Sequence, residues 1–205
     1  MSGKTRDKIK KVALTLFASN GYDATSMEKI ALGVGIKKSS LYAFITSKEE
    51  LFWEIFEDLE SQYRAYMEEL LADSENMTPP ERLYFLFKHY LNCAHNRPKE
   101  ESAEARAFWN QVMFFPPAAL KERLLARALD HEMALGEKYK VIIREGMQQG
   151  LIRESSPEEM LFSYYSLRQG FSVLMNVFMT EIPEDQKLAR IDKVWHDYWL
   201  GIRGK

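Results

Sequence analysis

Cysteine is almost absent from this sequence of 205 residues: Cys93 stands alone. A single thiol excludes an intramolecular disulfide framework and fits a reducing cytosol, so a cytoplasmic protein is expected. Long apolar runs are missing too. Nothing approaches the roughly 18 apolar residues of a membrane span. The start, MSGKTRDKIKK, has no apolar stretch behind its charges, so it does not read as a signal peptide. Catalytic constellations are also wanting. There is no Gly-rich phosphate loop, no Gly-x-Ser-x-Gly elbow and no cysteine with an evident base. His131-Glu132 lacks the second histidine of a metalloprotease helix. His89 and Cys93 are four apart on one helix face, but His95 is rotated away and no third ligand joins them. No metal, no cofactor and no enzymatic activity are expected. Strand patterns, repeats and low-complexity tracts are likewise not seen.

What is present is apolar and helical. Hydrophobic residues make up 46% and aromatics 13%, enough for a packed core. The net charge of −2 is unevenly spread. Residues 1–48 hold nine Lys or Arg against three acids, a balance of +6, which leaves −8 for the rest. A basic head on an acidic body is the footprint of a DNA-binding domain joined to one that avoids DNA. The plainer alternative is that the lysines solvate the first helix.

The organising stretch is Thr25–Leu51, TSMEKIALGVGIKKSSLYAFITSKEEL. Thr25 with Glu28 reads as a capping box, and Met27, Ile30 and Ala31 recur at helical spacing. Gly33 and Gly35 interrupt that helix, and Ile36 anchors the turn. A second short helix points Leu41 and Ile45 inward and leaves Lys37, Lys38, Ser39, Ser40, Tyr42 and Phe44 outside. Ser47 with Glu50 is a second capping box beside Lys48. Helix, Gly-containing turn, helix is the layout whose second helix enters the major groove. Lysines and hydroxyls crowd that helix start, Tyr42 can reach a phosphate, and Lys48 makes another phosphate seat.

The run IALGVGIKKSSLYAFITSKEEL resembles the signature of the TetR family of bacterial transcriptional regulators. The matching positions are Thr25, Ile30, Ala31, Gly35, Ile36, Leu41, Tyr42, Ser47, Lys48, Glu49, Glu50 and Leu51. The resemblance implies that Thr25, Tyr42 and Lys48 hold phosphates. It also implies that Lys37, Lys38, Ser39, Ser40, Ala43 and Phe44 sit at or near base edges. The sequence departs from the family pattern at Ser39, often Gly, at Phe44, often His or Tyr, and at Ile45, often Phe. Ala43 cannot hydrogen-bond a base.

Along the chain, Ile9, Val12, Ala13, Leu16 and Phe17 stripe a first helix over 4–20, ended by Asn20-Gly21. A bridging fourth helix runs from Ser47 to about Ala72, with Leu51, Phe52, Ile55, Leu59, Tyr63, Tyr66 and Leu70 inward. Thr78-Pro79-Pro80-Glu81 and Ser156-Pro157-Glu158-Glu159 read as cap, proline, acid helix starts. Further helices are expected over 100–114, 117–149 with a bend at Gly136, 157–179 and 183–202. The fold class is all-α with about nine helices: a three-helix DNA-binding domain over 1–48 and a larger ligand-binding and dimerisation domain over 49–205.

The last two helices are apolar on more than one face, so they must bury two faces. A two-fold homodimer is the expectation, which the resemblance also implies; a core helix pair in a monomer is the alternative. Phe87, Tyr90, Cys93, Phe108, Trp109, Val112, Met113, Phe171 and Met175 are candidates to line one apolar effector pocket. An aromatic helix face is more often plain core, but the resemblance implies an inducer site in this domain. Arg168, in an apolar helix, either pairs with an acidic ligand, is salt-bridged, or points to solvent. The expected function is that of a ligand-responsive repressor bound to a palindromic operator. A small-molecule binding module without DNA reading and an α-helical enzyme are the alternatives.

Overall fold

The computed structural model describes residues 2–96, 103–179 and 181–205; the side chains of 2, 92–96, 176, 177 and 184 lie outside the described residues. The helices are α1 (Ser2–Ala24), α2 (Met27–Val34), α3 (Lys38–Leu41), α4 (Lys48–Asp73), α5 (Pro79–Asn96), α6 (Ala103–Phe114), α7 (Lys121–Gln148), α8 (Pro157–Val173) and α9 (Glu184–Ile202). A π-helical turn, Leu174–Phe178, continues α8. Among the described residues there is no strand, only one bridge between Ile152 and Arg203. The class is all-α, as the periodicity predicts.

The chain forms two compact units. The first, called the head here, joins Met1–Tyr66 with Glu100–Arg127; the second, the body, joins Met67–Lys99 with Ala128–Lys205. The sequence draws the line after residue 48, at the start of the bridging helix. The head instead takes in most of α4 and all of α6, because α6 packs on α1. Phe108 of α6 lies 6.4 Å from Phe17 of α1 and 5.2 Å from Phe52 of α4, ring centre to ring centre.

The head core follows helical spacing. Ile9, Ala13 and Phe17 come from α1, and Met27, Ile30, Ala31 and Val34 from α2. Leu41 and Ile45 flank the next turn, and Leu51, Phe52, Ile55, Phe56 and Leu59 come from α4. Each such large side chain contributes about 1.5–3 kcal/mol by leaving water. Trp53 and Phe56 widen the α4 stripe beyond what a single face predicts, because α1 and α6 both contribute to the same cluster. Further along α4, Tyr66 is half-buried and Met67 is buried.

Two glycines shape the head differently. Gly35 adopts φ 81, ψ 32 at the end of α2, and its N–H donates to the Ala31 and Leu32 carbonyls. Ile36 N–H also donates to Ala31 O, closing the helix end. Gly33 is helical, but a Cβ there would lie 2.7 Å from Val12 Cγ1, so α1 and α2 touch only because it has none. At Gly21 (φ 77, ψ 170) the first helix breaks where Asn-Gly predicts, and one more turn follows to Ala24.

The expected helix starts are present in the body. Thr78 N–H and its hydroxyl donate to Glu81 at 2.9 and 2.7 Å, and Ser156 Oγ accepts from Glu159 N–H. α7 starts at Lys121 rather than 117, after a turn in which Leu120 N–H donates to Pro117 O. Gly136 serves close packing, since a Cβ there would lie 3.2 Å from Leu161. The body buries Leu83 and Phe87 of α5, Tyr139 and Ile143 of α7, Tyr164 and Phe171 of α8, and Ile191 and Trp195 of α9. Phe162, Leu174, Phe178 and Leu200 stay exposed.

Candidate functional site

The stretch after Gly35 is held from below and bare above. Leu41 is 0% and Ile45 1% exposed, and the four-residue spacing turns the intervening side chains outward. The regular helix is short, but turn bonds extend it: Phe44 N–H and Ile45 N–H both donate to Leu41 O. Lys37, Lys38, Ser39, Ser40, Tyr42 and Ala43 are exposed, Tyr42 at 49%. Phe44 departs from expectation. It is half-buried against the head core, because the tight turn after Leu41 rolls it inward.

Cations hold this turn in place. Arg6 of α1 donates to Phe44 O at 2.8 Å and through Nε to Glu54 at 3.3 Å. Lys8 donates to Val34 O at 2.8 Å, at the negative end of α2. Lys29 donates to Ala24 O at 2.8 Å, and Lys10 pairs with Asp58. Lys48 donates to Tyr22 O at 2.8 Å and Thr25 O at 3.0 Å, with its ammonium 4.0 Å from the Tyr22 ring centre. Most of the basic surplus over residues 1–48 is therefore structural. Lys37 and Lys38 stand on the exposed turn.

Two capping assignments shift by one residue. Ser26, not Thr25, caps α2, accepting from Lys29 N–H at 3.2 Å. Thr25 is 1% exposed, and its hydroxyl donates to Gly21 O at 2.8 Å and Leu16 O at 3.1 Å. It pins the end of α1 and does not offer its side chain to a phosphate. At α4, Ser47 Oγ accepts from Glu50 N–H as expected, but the Glu50 carboxylate turns back to Thr46 N–H at 2.7 Å. The Thr46 hydroxyl and amide hold that carboxyl below its ordinary range.

Within the head, α4 is also tied to the start of α7. The Arg123 guanidinium lies 3.9 Å from the Trp53 ring centre, and Trp53 Nε1 donates to Glu49 at 3.3 Å. Arg127 reaches the buried Glu60 carboxylate at 3.0 Å.

The residues expected to line one pocket divide between the two units. Phe108 and Val112 are buried in the head core, Trp109 meets Phe56 edge to face at 5.3 Å, and Met113 is exposed. α6 packs Phe108 against α1 and α4. Phe87, Tyr90, Arg168, Phe171 and Met175 belong to the body. The Cys93 side chain lies outside the described residues.

Arg168 is the centre of the body's polar cluster. It is 0% exposed, and its guanidinium carbon lies 4.1 Å from both the Tyr90 and the Tyr165 ring centres. Its Nη2 donates to Glu132 Oε2 of α7 at 3.2 Å, and the Glu132 side chain is 33% exposed. The Tyr139 and Tyr164 rings lie tilted with centres 5.3 Å apart, and Tyr164 donates to Leu83 O at 3.0 Å. Burial pushes the phenols up: Tyr139 to about 12, and Tyr164 and Tyr165 well above the ordinary range.

Residues 9–55 match the family model described as bacterial regulatory proteins, tetR family. Over those residues the chain is similar to the TetR family. The chain is 37% identical over 84 residues to IcaR, the negative transcriptional regulator of the biofilm operon icaADBC in Staphylococcus epidermidis. That match covers 40% of this chain and 44% of IcaR, so the likeness spans less than half of either protein. Over the whole length the fold is shared with solved structures. A putative transcriptional regulator from Saccharomonospora viridis in complex with choline superposes with a TM-score of 0.70 at 16% identity, covering 99% of this chain and 100% of that one. AibR, in complex with isovaleryl coenzyme A and operator DNA, gives 0.63 at 20% identity, covering 93% and 96%.

The TetR match ends at Ile55, inside α4, and so covers the exposed turn together with Arg6's partners Phe44 and Glu54. Arg6 lies outside it, and sequence reading counted that residue only as charge. No local signal marks it, because its acceptors lie 38 and 48 residues away.

Proposed function

We propose that the chain is a cytoplasmic, homodimeric transcriptional regulator that binds a palindromic operator and is released by a small, largely apolar effector; repression is the sign favoured. One observation carries the reading: an exposed turn bearing Lys37, Lys38, Ser39, Ser40 and Tyr42, pinned in register by Leu41, Ile45 and Arg6. Lys37, Lys38, Ser39 and Ser40 read base edges, with Ala43 beside them making apolar contact only. Tyr42 holds a phosphate. Lys48 gives two of its three protons to Tyr22 O and Thr25 O and keeps one for a phosphate. Thr25 contributes by fixing that lysine's acceptor.

The second copy docks on α8 and α9, whose exposed Phe162, Leu174, Phe178 and Leu200 need cover. Two heads then address successive major grooves about 34–36 Å apart. The effector binds in the body, to which Phe87, Tyr90, Arg168, Phe171 and Met175 belong, and favours the state that binds DNA poorly. IcaR's negative regulation supports repression, and the small molecules held by the two structural neighbours support a small-molecule effector, though not its apolar character.

Selection of bound fragments from fragmented genomic DNA at physiological salt tests it. A two-fold-symmetric site is the expected result. No enrichment by an intact dimer would sink DNA reading and leave a ligand-binding module.

A further inference from the structure

The body holds a permanently charged guanidinium away from water. Arginine does not deprotonate to escape such a place, so a counter-charge must stay beside it. Glu132 supplies that charge through a single bond at 3.2 Å, from a side chain one-third exposed on another helix. The buried partner is fixed between two tyrosine rings, whereas the exposed partner can turn to water at little cost. Tyr165 adds a buried hydroxyl with no hydrogen-bond partner among the described residues, on the ring that carries the guanidinium. Apolar side chains follow the cluster along the chain: Phe171 lies three residues after Arg168 on the same face of α8, Met175 lies in the π-helical turn beyond it, and both are buried.

We infer that the effector is a monocarboxylate with an apolar body, and that it docks by replacing the Glu132 carboxylate on Arg168 while Glu132 turns to solvent. The inference rests on the effector reading above and names its chemistry. A carboxylate matches the guanidinium fork, replaces the negative charge that Glu132 supplies, and offers a second oxygen to Tyr165. A cation is disfavoured, because Arg168 already places a positive charge against the Tyr90 and Tyr165 rings and would repel it. A neutral molecule gains nothing from the exchange.

The test is calorimetric titration of the full chain with octanoate, decanoate and phenylacetate, with their methyl esters, and with tetramethylammonium. At least one acid binds, and its ester binds at least about tenfold more weakly. Glu132→Gln removes the competing charge and tightens the acid by about tenfold, an effect opposite to that of damaging a structural ion pair. Arg168→Gln abolishes acid binding. The ester comparison and Glu132→Gln both leave the guanidinium in place, so they decide the matter even if Arg168→Gln does not fold. Binding by none of the acids, equal binding of acid and ester, preference for tetramethylammonium, or a Glu132→Gln chain with unchanged or weaker affinity would each overturn the proposal. Adding the bound acid to a selected DNA complex separates the two readings. Release supports both, whereas acid binding without release overturns the effector role and leaves the carboxylate site standing.

Discussion

The head and the body treat charge in opposite ways. The head keeps its cations at or near the surface and spends them on backbone carbonyls: Arg6 on Phe44, Lys8 on Val34, Lys48 on Tyr22 and Thr25. Its interior is phenyl and indole, built on Phe17, Phe52, Phe56 and Phe108. The body buries a guanidinium and rings it with phenols from Tyr90, Tyr139, Tyr164 and Tyr165. A surface cation on a carbonyl fixes a turn at little desolvation cost, which suits a part that must keep its register. A buried cation is costly unless paired, so the body's core depends on a counter-charge staying beside it. The difference is one between a head whose cations fix its turns and a body whose core depends on an ion pair.

The largest break in that comparison comes from a residue outside the motif. Phe108→Ala should destabilise the head by about 3–5 kcal/mol, because the cavity opens between α1, α4 and α6. Urea unfolding followed at Trp53 checks this; a loss below about 1 kcal/mol would remove α6 from the head.

Alkali should strike the body first. Tyr139 and Tyr198 are both raised to about 12 by burial, so the folded body keeps protons that the unfolded chain releases near pH 10. That stability is fully present below pH 10 and is lost as pH rises towards 12, at up to about 1.4 kcal/mol per pH unit for each phenol. The head holds Tyr22, raised less and only partly buried. Tyrosinate absorbance measured alongside unfolding would show the body phenols titrating late and together with its collapse.

Gly33→Ala should cost about 1–3 kcal/mol through the clash with Val12. Val12→Ala in the same chain should restore most of it, and thermal melts of the two single variants and the pair would show the coupling. The smallest effect on stability belongs to Lys37→Gln and Lys38→Gln, each within about 0.5 kcal/mol. Both should nonetheless alter base preference. A salt slope lowered by about one would instead assign the altered lysine to a phosphate.

Much of this was legible where the determinants are local. Leu41 and Ile45 repeat at four, so the outward set between them followed at once. Ser156 and Thr78 precede a proline and an acid, and their helices start there. Thr25 and Ser26 are adjacent hydroxyls, and pattern alone does not say which one caps; burial against Leu16 O and Gly21 O decided it. Phe44 turned inward because its turn is tighter than an α-helix. The allegiance of α6 and the pairing of Arg168 with Glu132 depend on residues far apart in the chain, which helical periodicity cannot register.

Trp53 carries a practical consequence. The four tryptophans divide evenly, Trp53 and Trp109 in the head, Trp195 and Trp199 in the body. Trp53 lies five residues past Lys48, with a guanidinium over its ring and a carboxylate at its indole nitrogen. Any shift of α4 against the first turns of α7 changes the field at that ring. A chain retaining Trp53 alone would thus report the state of the DNA-facing unit by its own emission, without an attached dye.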